Sequence, residues 1–138
     1  MKNFIWPVRV YYEDTDAGGV VYHANYLKFF ERARTEMLRA IGYEQDELLA
    51  SESIIFVVRS AQVDYLSPAR FNEQLQVSAE VSLVKKASFT FEQVITRDGE
   101  VLCKGSVRIA CLDAQTMRPK AIPETLFRTI LEHTTNEY

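Results

Sequence analysis

No run of residues in this 138-residue chain approaches the length of a membrane-spanning helix. The opening stretch, MKNFIWPVRV, reaches Trp6, Pro7 and Arg9 too soon to contain the apolar core of a signal peptide. Cysteine is scarce: Cys103 and Cys111 stand eight residues apart on what reads as one strand. At the usual rise they are about 26 Å apart, so they cannot bond each other. A reducing, cytoplasmic setting is the expectation, and nothing in the sequence implies membrane association. Positive charge is not in excess either, with 16 basic and 19 acidic residues mixed along the chain and a net charge of −3. There is no basic stripe of the kind a phosphate backbone requires, which argues against a nucleic-acid partner. Internal repeats, linkers and low-complexity segments are missing. So are a serine-hydrolase elbow and any glycine-rich loop of Walker or dinucleotide pattern.

What is present is 47% hydrophobic content, enough for one domain over residues 1–138 and too little for two. Val8, Val10 and Tyr12 alternate with polar neighbours and predict a short first strand. A long helix follows, carrying the apolar stripe Tyr26, Phe29, Phe30, Ala33, Met37, Ala40 and Ile41 and ended by Gly42. Residues 44–50 have room for one or two further turns. Ile54 to Leu66 begins as a continuous apolar run and becomes an alternating one, predicting a long strand stopped by Ser67-Pro68. From Leu75 to Leu83 the period is two, and Ala87, Phe89 and Phe91 continue it. Asp98-Gly99 then supplies a tight hairpin before Val101 to Cys111 alternates again. These three strands form an antiparallel meander. Pro123 opens a last short helix as its first residue, with Leu126, Phe127, Ile130 and Leu131 on one side. The class is α+β in two layers, one long helix against about five strands. One helix cannot cover all of that sheet, so the apolar remainder in Ile54 to Leu66 points to self-association.

The stretch Tyr11 to Ala40 concentrates the chemistry: acidic side chains, two glycines and a histidine immediately ahead of the long helix. A calcium loop starting at Asp14 fails, because the fifth position is Gly18 and the twelfth is Asn25. Zinc fares no better, with His23 and His133 far apart and no cysteine pair at ligand spacing. Carboxylate chemistry remains. A helix start preceded by a glycine-containing loop offers unpaired N–H groups and the positive end of a dipole to a developing oxyanion. Each residue also has a plain structural role. Asp14 and Asp16 serve as turn residues, His23 as a local hydrogen-bonding group, and Asn25 as the N-cap. Glu31 and Glu36 pair with basic helix neighbours, and Arg59 is an edge-strand charge.

The string VRVYYEDTDAGGVVYHANYLKFFERARTEML resembles the signature of hotdog-fold acyl-CoA thioesterases of the YbgC type, associated with the Tol-Pal envelope system. It is similar, more distantly, to 4-hydroxybenzoyl-CoA thioesterase. The likeness runs from Trp6 to Pro123 and includes FVVR at Phe56 to Arg59, SPAR at Ser67 to Arg70, and the CLD and RP..IP run ending at Pro123. Asn72 departs from it, since an acidic residue usually follows the PAR turn. The resemblance implies a hotdog fold, a long central helix wrapped by a five-stranded antiparallel sheet. It also implies a homodimer joined sheet edge to sheet edge, commonly paired into a homotetramer, with sites between subunits. For the site it implies that Asp16 is the catalytic carboxylate, as nucleophile or general base. The backbone N–H at His23 polarises the thioester carbonyl, and Tyr22 and Arg59 bind substrate. The substrate is acyl-CoA, hydrolysed without organic cofactor or metal. Two other readings on the same fold are an acyl-carrier-protein thioesterase and a non-catalytic acyl-binding protein.

Overall fold

The computed structural model describes residues 4–134, so the first three and last four residues of the expected domain lie outside the described residues. The chain runs β1 (Phe4–Arg9), a 3-10 turn (Tyr12–Asp14), α1 (Asn25–Ala40), α2 (Gln45–Glu52), β2 (Ile54–Tyr65), β3 (Gln74–Lys85), β4 (Ser88–Arg97), β5 (Glu100–Asp113) and α3 (Glu124–Glu132). The five strands form one antiparallel sheet in the order β1-β3-β4-β5-β2.

The alternation in sequence becomes a two-faced sheet. In β3, Leu75, Val77, Ala79 and Val81 are buried, and Phe89, Phe91 and Ile95 of β4 join them. Asp98 and Gly99 both take positive φ, 48° and 83°, which lets the β4–β5 hairpin turn without splaying its strands. Against this face lies α1, burying Tyr26, Phe29, Phe30, Ala33 and Met37. Gly105 makes the approach possible: a Cβ there would stand 2.8 Å from the ring of Phe30. The helix ends in a Schellman motif. Gly42 takes φ 102°, its N–H donates to Arg39 O, and the N–H of Tyr43 donates to Leu38 O.

Three boundaries depart from the sequence reading. β1 starts earlier and stops at Arg9, and Tyr12 falls in the 3-10 turn because the chain bends there to deliver Asp14 inward. The N-cap of α1 is Ala24, without a side-chain cap, while Asn25 is already helical and its side chain is taken by Asp14. Pro123 stands one residue before α3, as its N-cap. The two sheet edges also differ. β1 has six residues and contains Pro7, whereas β2 has twelve, is largely exposed from Val58 to Tyr65 and contains no proline.

Candidate active site

The loop between β1 and α1 is organised by its first aspartate. Asp14 is buried, and both carboxylate oxygens are used: Oδ2 accepts the Tyr11 N–H at 2.8 Å and Oδ1 accepts the Asn25 side-chain amide at 3.0 Å. Its carbonyl also accepts the Tyr22 N–H. Asp14 thereby ties the loop's entry to the first residue of α1.

Asp16 has different surroundings. It is exposed, at the base of a small β-turn-like excursion. Its N–H donates to Val20 O, its carbonyl accepts from Gly19 N–H, and Oδ1 accepts the Gly18 N–H at 2.8 Å. Gly19 takes φ 79°, a left-handed conformation that a side chain resists. Isolated bridges Thr15 to Val21 and Val20 to Arg70, together with the bond from Val21 N–H to Ala69 O, fasten this excursion to the segment after β2. Asp16 Oδ2 has no hydrogen-bond donor among the described residues. A carboxylate oriented by one oxygen and open at the other can attack a carbonyl or accept a proton from water.

Just beyond, His23 and Ala24 precede α1. Their backbone N–H groups have no acceptor among the described residues, because the first bonds into the helix are donated from Asn25 onward. With no side-chain cap, these donors lie at the positive end of a sixteen-residue helix. The His23 ring packs against Tyr22 at 4.5 Å between centroids and edge-on to Tyr65 of β2 at 6.2 Å. Behind it, the Tyr26 hydroxyl accepts the Ala69 N–H at 3.0 Å, and its ring meets Tyr65 at 5.5 Å. Burial pushes the pKa of both phenols up, opposed at Tyr26 by the Ala69 bond, so both stay neutral donors or acceptors. Cys103, paired with Tyr65 across the sheet, is pushed up to about 12 by burial and then by the Asp64 charge. Cys111 is pushed up to about 11, also by burial. Both are free, buried thiols and poor nucleophiles.

Of the residues expected at a site, the fold gathers His23 and Tyr22 at the start of α1 and holds Asp16 in the loop that leads there. It does not bring Arg59 into this group within one chain. Arg59 occupies a register shift between Val58 and Ser60 on the open edge of β2, about 20 Å along the strand from Tyr65. Glu36 pairs with Arg39 at 2.7 Å, as helical spacing implied, but Glu31 is in no ion pair among the described residues. Sequence reasoning missed two buried polar residues. Arg34 of α1 donates from Nη1 to Gln93 Oε1 at 3.1 Å, and Gln93 Nε2 donates to the carbonyls of Phe30 and Ser78. The one available signal was Gln93 itself, a polar side chain in the inward row Phe89, Phe91, Gln93, Ile95. Beside Arg34 opens a cavity of about 120 Å³ whose walls include Glu31, Thr35, Phe56, Val58 and Phe89. No group of three or more His, Cys, Asp and Glu among the described residues could hold a metal. Among the described residues, no helix is long and apolar enough to cross a membrane.

A carboxylate with one open oxygen, followed by unpaired N–H donors at a helix start, is an arrangement suited to acyl transfer. Residues 10–130 match the family model of the thioesterase-like superfamily. Acyl-CoA thioesterase YbgC of Haemophilus influenzae is 51% identical over 123 residues, covering 89% of this chain and 90% of that protein. The probable thioesterase from Bartonella henselae superposes with a TM-score of 0.84 at 35% identity, over 88% of this chain and 99% of that one. Protein TT1821 from Thermus thermophilus gives a TM-score of 0.89 at 27% identity, over 97% and 99%. The chain belongs to the thioesterase-like superfamily, within its YbgC-type branch. Its fold is the hotdog fold, a central helix on a five-stranded antiparallel sheet.

Proposed function

We propose that this protein hydrolyses acyl-CoA thioesters to a free acid and CoA, with Asp16 as the reacting carboxylate. The observation that carries the reading is the contrast inside the DTDAGG loop. Asp14 has both oxygens satisfied, while Asp16 keeps one free, a few residues ahead of the unpaired N–H groups of His23 and Ala24. Half-identity to an acyl-CoA thioesterase over nine-tenths of the chain supplies the substrate class.

In one course, Asp16 adds to the thioester carbonyl, the N–H groups of His23 and Ala24 bind the oxyanion, and the C–S bond breaks to release CoA thiolate. Water then cleaves the resulting anhydride. In the other course, Asp16 takes a proton from water as it adds to the same carbonyl, and the C–S bond breaks on collapse. Tyr22 lies against the His23 ring and flanks the reacting group. Arg59 reaches substrate from a neighbouring subunit, since its own strand carries it away from Asp16. A homodimer formed along β2, with pairing into a tetramer, supports that role: β2 is the unblunted sheet edge, and Val58, Tyr65 and Leu66 there are 52%, 48% and 56% exposed. Residues 1–138 work as one domain in this reading. A cytoplasmic setting and an association with the Tol-Pal envelope system complete it, on the strength of the YbgC likeness.

A thiol-release assay over a panel of CoA and acyl-carrier-protein thioesters tests the proposal. Turnover of CoA thioesters is expected. Cleavage of carrier-protein thioesters alone would reassign the thiol carrier, and no cleavage above background would overturn the enzymatic reading.

A further inference from the structure

Among the described residues, Arg34 has no ion-pair partner. Its side chain is nine-tenths buried, and its sole hydrogen bond among the described residues goes to a neutral acceptor, Gln93 Oε1. Gln93 has nothing further to give, because its amide is committed to two backbone carbonyls. Burial pushes the pKa of the Arg34 guanidinium down, and the nearby Glu31 charge opposes this without reaching ion-pair distance. A buried guanidinium is costly unless a carboxylate faces it. Both Arg34 and Glu31 border the cavity that opens toward Phe56 and Val58 of β2.

The position of that cavity limits what can fill it. Within one chain, α1 packs on β3 and β1 and meets β2 only through side chains, the two elements running in opposite directions. Tyr65, at the end of β2, touches His23 and Tyr26 at the start of α1, whereas Phe56 and Val58 share the cavity with Arg34, Thr35 and Leu38. The middle of β2 therefore runs beside residues 31–34 of the helix. β2 is the open edge of the sheet, and the opposite edge is shortened and interrupted by Pro7. A second copy adding antiparallel along β2, about a two-fold axis at the strand's middle, brings its own α1 antiparallel to the first. The helix face that borders the β2 cavity, with Glu31 and Arg34, is then the one turned toward the partner.

We propose that Arg34 of each subunit is neutralised by Glu31 of the partner subunit across this axis, so that the pocket is complete only in the dimer; the inference rests on the dimer reading above. Reversing the helix direction is what makes the match. Glu31 and Arg34 are three residues apart on one face, so an antiparallel copy sets acid opposite base twice, as an isologous interface demands. Phe56, Val58 and Phe89 exclude water from the pair and strengthen it.

Sedimentation over a dilution series tests this with the wild type, Glu31→Arg, Arg34→Glu and the double charge swap, each checked for folding by circular dichroism. Each single reversal is expected to weaken self-association by about 30-fold or more, and the double swap to restore most of it. Single reversals that associate like the wild type, or a swap no better than either single, overturn the pair. Glu31 is exposed, so Glu31→Arg decides the matter alone should Arg34→Glu not fold. A monomeric wild type would defeat the dimer reading itself, whereas a dimeric wild type with dimeric variants defeats only the pair. Arg34→Gln that keeps assembly but loses turnover of acyl-CoAs bearing a terminal carboxylate would assign the guanidinium to substrate instead, and would also overturn it.

Discussion

Asp14 and Asp16 stand two residues apart in the loop that leads into α1, and the fold treats them in opposite ways. Asp14 is 4% exposed and both its oxygens accept hydrogen bonds, one from the backbone of Tyr11 and one from Asn25 at the helix start. Asp16 is exposed, with one oxygen held by Gly18 and the other open. A carboxylate whose lone pairs are consumed by the fold contributes stability. One that is oriented but unfinished is available for chemistry. The contrast teaches that two aspartates in one loop can differ in which acceptor the fold leaves unsatisfied, and the proposed role of Asp16 rests on that difference.

The largest expected effect breaks the contrast from the Asp16 side. Asp16→Asn preserves size and the Gly18 contact but removes the charge, so kcat should fall by at least about 10²-fold in steady-state assays, with the oligomer and substrate binding retained. From the other side, Asp14→Asn sets an amide against one of two donors in a buried position. Urea unfolding should show a loss of roughly 1–3 kcal/mol, while kcat per folded molecule stays within a few-fold of wild type. Gly19→Ala is a smaller perturbation of the same loop. Forcing a side chain into φ 79° should cost about 1 kcal/mol by thermal melt and lower kcat several-fold, because the Gly19 N–H holds the Asp16 carbonyl. The smallest effect removes a rival nucleophile. With Cys103 pushed up to about 12 and Cys111 to about 11, both buried, an alkylating agent at pH 8 should leave the native protein unlabelled by mass spectrometry and its turnover unchanged. Rapid labelling with loss of activity would make a thiol, not Asp16, the group to explain.

Most of the framework was legible in the sequence because it rests on short-range periodicity. The alternation through β3, β4 and β5, the Asp98-Gly99 hairpin, the α1 stripe and its glycine stop each show in a window of a few residues. β1 was misplaced because Val10 and Tyr12 continue its alternation after the chain has already turned. Asn25 looked like a cap because its usual role is local, whereas its side chain is claimed by Asp14 eleven residues away. Arg34 was hidden for a related reason. On a helical wheel it stands at the border of the apolar stripe, four residues after Phe30, and its charge lets it pass for a surface cation until the fold sets it over Gln93 of β4. Arg59 could be read as an edge charge, but its distance from Asp16 within one chain follows from strand order. The resemblance already singled out Asp16 over Asp14, but which oxygen of each aspartate is held was not legible, since it depends on which neighbouring N–H the folded loop brings to it.

The division between Asp14 and Asp16 can be tested in one experiment, by measuring kcat for acyl-CoA hydrolysis and the thermal midpoint on wild type, Asp14→Asn and Asp16→Asn prepared side by side. The account predicts that the two variants separate onto different axes: Asp16→Asn loses at least about 10²-fold in kcat with a wild-type midpoint, and Asp14→Asn loses midpoint with kcat nearly intact. An Asp16→Asn protein that keeps near-normal kcat, or a pair of variants that lose midpoint and rate together, would contradict it.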